Sequence, residues 1–268
     1  MSAQDIVLSI DLAPEDCLYR ILRKNPERVV YVNLEHLDLI PEESRTYGPD
    51  VIRELSKLPE WNNGWKTLTI SKENTGIRSQ RDIFEPHALP QAQVHDLYER
   101  FNILTLEEVQ SVKSRVSHFQ NQDTQYFLKI ARFGFEMPSL AKEAEVYDIL
   151  TREASTLAPR LLGYAYEPEL EDDRITGRVI GLVLEAVSGR HPGISDLGTC
   201  QEALQQLHGL GIIHGDINKY NIFLTKDGAK FIDFEESGIS SVDESKKAKE
   251  MQSLYERLLD ESGTGRPW

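Results

Sequence analysis

The chain has 268 residues, of which 40% are hydrophobic and 28% charged, the balance of an ordinary soluble globular protein with one large core or two modest ones. Its formal net charge of −14 disfavours nucleic acid and anionic membrane as partners, since both reward positive surface. No apolar run approaches the ~20 residues of a membrane span, and the start of the chain lacks a basic n-region and a long apolar stretch, so the expected location is cytoplasmic, without a signal peptide. Cys17 and Cys200 have no metal-ligand spacing, which fits a reducing compartment and two buried packing thiols.

Residues 1–104 read as an accessory region. Segments 5–10 and 28–33 look like strands flanking a short helix near Pro14 to Lys24, and 65–70 alternates like a further strand. Residues 49–58 predict a helix, and a second is expected over 91–101, after the break at Pro90. Trp61 and Trp65 stand beside Asn62-Asn63-Gly64, where they could stack a ligand, but aromatics near a turn more often serve packing.

In 125–132 a strand places Phe127, Lys129 and Ala131 on one face. The helix expected over 139–150 has Leu140, Ala144, Tyr147 and Leu150 as its apolar stripe, with Glu143 at its border and Glu145 facing away. A turn and strand at 159–166 lead into an acidic loop, 167–173, expected to be a solvated excursion. Residues 178–184 form a buried strand that runs into Glu185. Thr199 and Glu202 have capping-box spacing, which sets a helix start just before 203–208, with His208 partly exposed. Strands 222–224 and 230–232 are joined by a turn carrying the Asp227-Gly228 hairpin signal. Residues 245–259 predict a last helix with Ala248, Met251, Leu254, Tyr255 and Leu258 on its packing side.

The chemistry concentrates around that hairpin. His214-Gly215-Asp216 is followed by Asn221, five residues after the aspartate, and by Asp233-Phe234-Glu235 beyond the second strand. A carboxylate, an amide and a second carboxylate in this order are what phosphoryl transfer needs, because its catalysis is mostly positioning and charge neutralisation. Asp216 would orient or deprotonate an acceptor hydroxyl. Asn221 and Asp233, at the outer ends of the hairpin, would hold magnesium, a hard cation that prefers oxygen. Any one of these residues alone would be read as an incidental surface acid or amide.

The pattern H-x-D-x-x-x-x-N followed by Asp-Phe-Glu in place of D-F-G resembles the protein-kinase-like superfamily over residues from about 105 to 260. It looks closest to the small atypical branches that include aminoglycoside phosphotransferases and compact fungal kinase-like proteins. The resemblance implies an α+β, bilobal fold: an N-terminal region (1–104), a kinase-like small lobe to the hinge (105–187) and a truncated C-terminal lobe (188–268). It further implies that Lys129 is the strand lysine that holds nucleotide phosphates and that Glu143 is the helix glutamate paired with it. Leu184 becomes the gatekeeper, with the backbone of Glu185 and Val187 meeting an adenine edge. ATP and Mg2+ are the implied cofactors, a hydroxyl of a small molecule or protein the implied acceptor, and His214 a structural residue of the loop.

Four departures stand out. The turn before Lys129 has no glycine, so phosphate grip falls to side chains such as Lys113, Ser114 or Arg115. Phe127 replaces the small residue kinases keep against adenine, Gly215 replaces the arginine of H-R-D, and Glu235 replaces the D-F-G glycine, with no A-P-E after it. The last two predict a constitutively assembled site without loop phosphorylation control, in a phosphotransferase. The alternatives are a pseudokinase or nucleotide-binding scaffold, which the glycine-free loop and Phe127 favour, and AMP transfer by the same fold.

Overall fold

A computed structural model describes residues 4–266 except 75, 114, 122–123, 172–173, 241–242 and 264. The class is α+β. The chain divides into two compact units, one of residues 1–88, 132–135 and 167–178, the other of 89–131, 136–166 and 179–268.

In the first unit, β1 (Ile6–Leu12), β2 (Cys17–Lys24), β3 (Glu27–Leu34), β4 (Thr67–Glu73) and β5 (Gly76–Arg81) form one sheet in that order, with only the β3–β4 pair parallel. Alternation drives it: Cys17, Tyr19 and Ile21 on β2, and Val30, Val32 and Leu34 on β3, are fully buried. Helix α1 (Gly48–Leu55) starts on Pro49, whose fixed φ suits a first turn, and adds Val51 and Leu55 to this core. Trp61 and Trp65 belong to the same core, their rings edge-on at 5.8 Å, so they pack.

The helix expected near Pro14 to Lys24 is instead β2. Leu18, Ile21 and Leu22 also fit a helical stripe, so local pattern does not decide. The strand prevails because β2 is the common neighbour of β1 and β3 and satisfies the backbone groups of both.

The acidic segment also departs from expectation. Glu167 is fully buried, not solvated. Its carboxylate accepts hydrogen bonds from Arg20 Nε at 2.6 Å, Arg178 Nη2 at 2.6 Å and the Tyr31 hydroxyl at 2.7 Å. Burial pushes its pKa up, but Arg20 and Arg178 outweigh burial and hold it below the usual carboxylate range. Asp172 and Asp173 lie outside the described residues. Removing one partner of such a buried cluster strands the others, so Glu167→Ala is expected to cost about 3–5 kcal/mol in chemical denaturation. Because the folded pKa lies below the ordinary value of 4.5, this stabilisation is present above pH 4.5 and lost as pH falls through the folded value. Denaturation midpoints of wild type and variant should therefore converge in acid, and equal midpoints at neutral pH would refute the role given to Glu167.

In the second unit, β6 (Glu99–Asn102), β7 (Glu107–Lys113), β8 (Val116–Asn121), β9 (Thr124–Ile130), β10 (Leu161–Glu171) and β11 (Arg174–Glu185) build a sheet of order β6-β10-β11-β9-β8-β7. The outer part of the β10–β11 hairpin belongs to the first unit. Helix α2 (Met137–Arg152) buries Leu140, Ala144, Tyr147 and Leu150, the expected stripe. The C-terminal half contains α3 (Leu197–Gly209), β12 (Ile212–Ile213), the hairpin β13 (Ile222–Thr225) and β14 (Gly228–Phe231), β15 (Gly238–Ile239) and α4 (Glu244–Leu259). One apolar core joins Leu140 and Tyr147 through Leu182 to Leu204, Phe231, Phe234 and Leu254. Among the described residues no helix is long and apolar enough to cross a membrane.

Three further expectations are corrected here. No helix spans 91–101: Gln91–Gln93 makes one 3-10 turn and the chain continues as β6, parallel to β10. Gly163 permits that pairing, since a Cβ there would lie 2.3 Å from the Glu99 carbonyl oxygen. Helix α3 begins at Leu197, which puts Thr199 and Glu202 inside it; Asp196, bound to Arg190 at 2.7 Å and to the Gly193 amide at 2.8 Å, fixes the earlier start. On α4, Ala248 and Tyr255 are exposed while Glu250 is buried with Leu254 and Leu258.

Candidate active site

Alternation on β9 turns Phe127 and Lys129 into a cleft of the second unit while Tyr126 and Leu128 pack on the other face of the sheet. Lys129 is buried, as is Glu143 on the facing stripe of α2. Lys129 Nζ lies 2.5 Å from Glu143 Oε2, 2.6 Å from Asp233 Oδ1 and 3.3 Å from Glu235 Oε1. Burial alone would lower the ammonium pKa, but Glu143, Asp233 and Glu235 more than compensate and hold it above its ordinary value. Glu143 is shifted up, chiefly by burial, which the attraction of Lys129 offsets only in part. Glu145 is exposed.

The loop after β12 is tied down from three sides. Gly215 has φ +84°, and a Cβ there would meet the Glu236 carbonyl oxygen at 2.1 Å, so the residue in the arginine position of H-R-D must be glycine in this conformation. Its amide donates to Glu250 Oε1 at 2.7 Å, and the His214 amide donates to Glu250 Oε2 at 3.1 Å. His208, expected to be partly exposed, is buried and its Nε2 lies 2.7 Å from the same carboxylate. His214 Nε2 bonds the Ile232 carbonyl at 3.0 Å, and its Nδ1 faces the Asp216 amide at 3.4 Å. Burial lowers the His214 pKa, which keeps the ring neutral as these bonds require.

Asp216 is exposed to solvent, and its Oδ2 accepts from Asn221 Nδ2 at 3.0 Å and Asn218 Nδ2 at 3.3 Å. The Ile232 amide donates to the Asn221 carbonyl at 3.0 Å, which brings the outer ends of the β13–β14 hairpin together. Asp233 follows with φ +67°, a left-handed conformation that aspartate tolerates better than most residues. Carboxylate oxygens of Glu143, Asp233 and Glu235 lie within 4.8 Å of one another. Asn221 Oδ1 accepts no hydrogen bond among the described residues. This all-oxygen donor set suits a hard divalent cation, and the three carboxylates exceed the nearby positive charge of Lys129 and Arg115.

A cavity of about 200 Å³ joins these groups to Leu184, Glu185 and Val187. Phe127 enters it from the sheet and Phe223 from β13, with the His191 ring 4.6 Å from Phe223. The Glu185 amide donates to the Arg160 carbonyl at 2.9 Å and its carboxylate binds Arg160, whereas the Val187 amide has no partner among the described residues. Arg115, at the turn between β7 and β8, binds both oxygens of Glu235. Ser114 and the side chain of Lys113 lie outside the described residues.

Lys129, Glu143, Asn221, Asp233, Leu184, Glu185 and Val187 therefore line one cleft, and Asp216 is bonded to it through Asn221. Sequence reading missed Glu250, Phe223 and His191. Glu250 lies four and eight residues before Leu254 and Leu258, an acid in register with the apolar stripe, and that was its signal. Glu250→Ala would leave the His214 and Gly215 amides without their carboxylate, at about 1–3 kcal/mol for the buried His214 group. The expected result is a lower denaturation midpoint and reduced kcat at a temperature where the variant is folded; an unchanged kcat would show that the loop does not depend on α4.

No curated protein matches the chain. Residues 194–268, which contain α3, the Asp216 loop, the hairpin and α4, match the model of the lipopolysaccharide kinase (Kdo/WaaP) family. Over this stretch, the chain is similar to a kinase family of the protein-kinase-like superfamily.

Proposed function

We propose that the protein is an ATP- and magnesium-dependent phosphotransferase that acts on a hydroxyl group. The observation that carries this reading is the meeting of Lys129, Glu143 and Asp233 within ion-pair distance, in the cleft that Asn221 lines beside Asp216. Asp216 accepts the proton of the acceptor hydroxyl as its oxygen bonds to the γ-phosphorus and the bond to the departing ADP oxygen breaks. Asn221 and Asp233 are the ligands for magnesium, which offsets phosphate charge when bound. Lys129, fixed by Glu143, holds the α- and β-phosphates. Phe127 and Phe223 sandwich the base beside Leu184, and the hinge backbone of Glu185 and Val187 meets its edge.

Arg115 takes the phosphate-binding task that a glycine-rich loop performs elsewhere. Its guanidinium already engages a planar anion, Glu235, and its buried Nη1 has no partner among the described residues. The acceptor is a small molecule or an exposed residue, and the lipopolysaccharide kinase match makes sugar hydroxyls the first to assay.

A second reading is a nucleotide-binding scaffold without transfer. It is favoured by Phe127, whose ring stands in the cleft where kinases keep a small residue, and by the turn before Lys129, which has no glycine. Incubation with magnesium-ATP and a panel of sugar, metabolite and protein acceptors separates the two. Phosphorylated acceptor that requires Asp216 supports transfer. A thermal shift with magnesium-ATP and no product against any acceptor supports the scaffold.

A further inference from the structure

The sheet of the second unit has another cavity, on the face that Tyr126 rather than Lys129 occupies. An open groove of about 540 Å³ is lined by Glu99 on β6, Glu107 on β7, Tyr126 on β9 and Tyr166 on β10, with Phe101 beside them. That volume is within the range of small-molecule sites.

Its carboxylates and its one buried phenol are unspent. Glu99 and Glu107 are exposed and have no ion-pair partner among the described residues, and the neighbouring Arg100 is occupied by Asp96 at 3.2 Å. Tyr126 is only 2% exposed, yet its hydroxyl has no hydrogen-bond partner among the described residues. A buried hydroxyl without a partner is costly, and it points to a group that arrives from outside. The ring of Tyr126 is held by Phe101 at 5.7 Å and by stacking on Phe119 at 6.2 Å, so the floor is aromatic and fixed.

Charge and shape select the ligand. Two unpaired carboxylates repel anions such as nucleotides. A hard metal ion needs about six oxygen ligands and gains nothing from aromatic walls. A guanidinium or ammonium group can donate to the carboxylates and to the Tyr126 oxygen while its stem lies on the rings. We propose that this groove binds a small organic cation bearing a guanidinium or primary ammonium group. The proposal does not depend on phosphotransfer in the cleft.

Isothermal titration of the full chain with agmatine, spermidine and N-acetyl-arginine amide tests it. At least one is expected to bind with one-to-one stoichiometry. Tighter binding of the free amines indicates a metabolite, and tighter binding of the blocked arginine indicates a protein side chain. Affinity should fall about tenfold or more in the Glu99→Gln/Glu107→Gln double variant and should fall in Tyr126→Phe. It should be unchanged in Glu145→Gln, which removes an exposed charge elsewhere on the unit. Thermal melts of each variant establish that it is folded. The proposal is overturned if no cation binds at millimolar concentration, if binding survives in both the double variant and Tyr126→Phe, or if Glu145→Gln weakens it as much.

Discussion

Asp216→Asn is expected to lower ATP-dependent phosphotransfer by about 10²–10⁴-fold, the range supplied by a positioned general base. The loss should fall on kcat, with KM for ATP and the melting temperature close to wild type, because the carboxylate is exposed and its main contacts are to Asn218 and Asn221. Asp233→Asn should behave differently. It removes a proposed metal ligand and a contact of Lys129, so magnesium-dependent nucleotide binding should weaken together with turnover. A profile in which both variants raise KM alone would place their carboxylates in binding, not in proton transfer.

Lys129→Met is expected to abolish turnover and also to destabilise the protein by about 3–5 kcal/mol, since it leaves Glu143 buried without its counter-charge. The pH dependence has a definite sign. The folded pKa of Lys129 is raised above 10.5, so the pair is intact below that pH and is lost as pH rises through the folded value. Glu143, already shifted above 4.5 by burial, shifts further up without the lysine, so the variant loses stability relative to wild type as pH rises from 4.5. Lys129→Met/Glu143→Gln should recover most of the stability and none of the activity. Denaturation at several pH values checks this directly; a double variant no more stable than Lys129→Met would mean that the pair does not couple as its geometry demands.

Legibility in the sequence followed the kind of constraint involved. The spacing from His214 to Asp233 could be read because the proposed metal-ligand pair, Asn221 and Asp233, sits at the ends of one hairpin, which fixes both residue type and separation. Glu143 could be read because it borders a clear helical stripe. By contrast, β2 was ambiguous because its residues fit a helical stripe as well as alternation, and only its two neighbouring strands settle the matter. The segment 91–101 was misread because β6 is completed by a partner strand some sixty positions on, at Gly163–Tyr166. Glu167 and Glu250 share one cause: an acid is assigned to solvent unless its partners are known, and theirs come from remote parts of the chain. The base-sandwiching role proposed for Phe223 and the ion pair of Arg115 with Glu235 depend in the same way on three-dimensional neighbours.

The central claim is that one cleft both binds nucleotide and transfers its terminal phosphoryl group. Transfer of γ-phosphate label from magnesium-ATP, measured beside ATP affinity for wild type and Asp216→Asn, tests it most directly. The claim predicts labelled acceptor with the wild type, and equal ATP binding without label for the variant; label formed equally well by Asp216→Asn would contradict it.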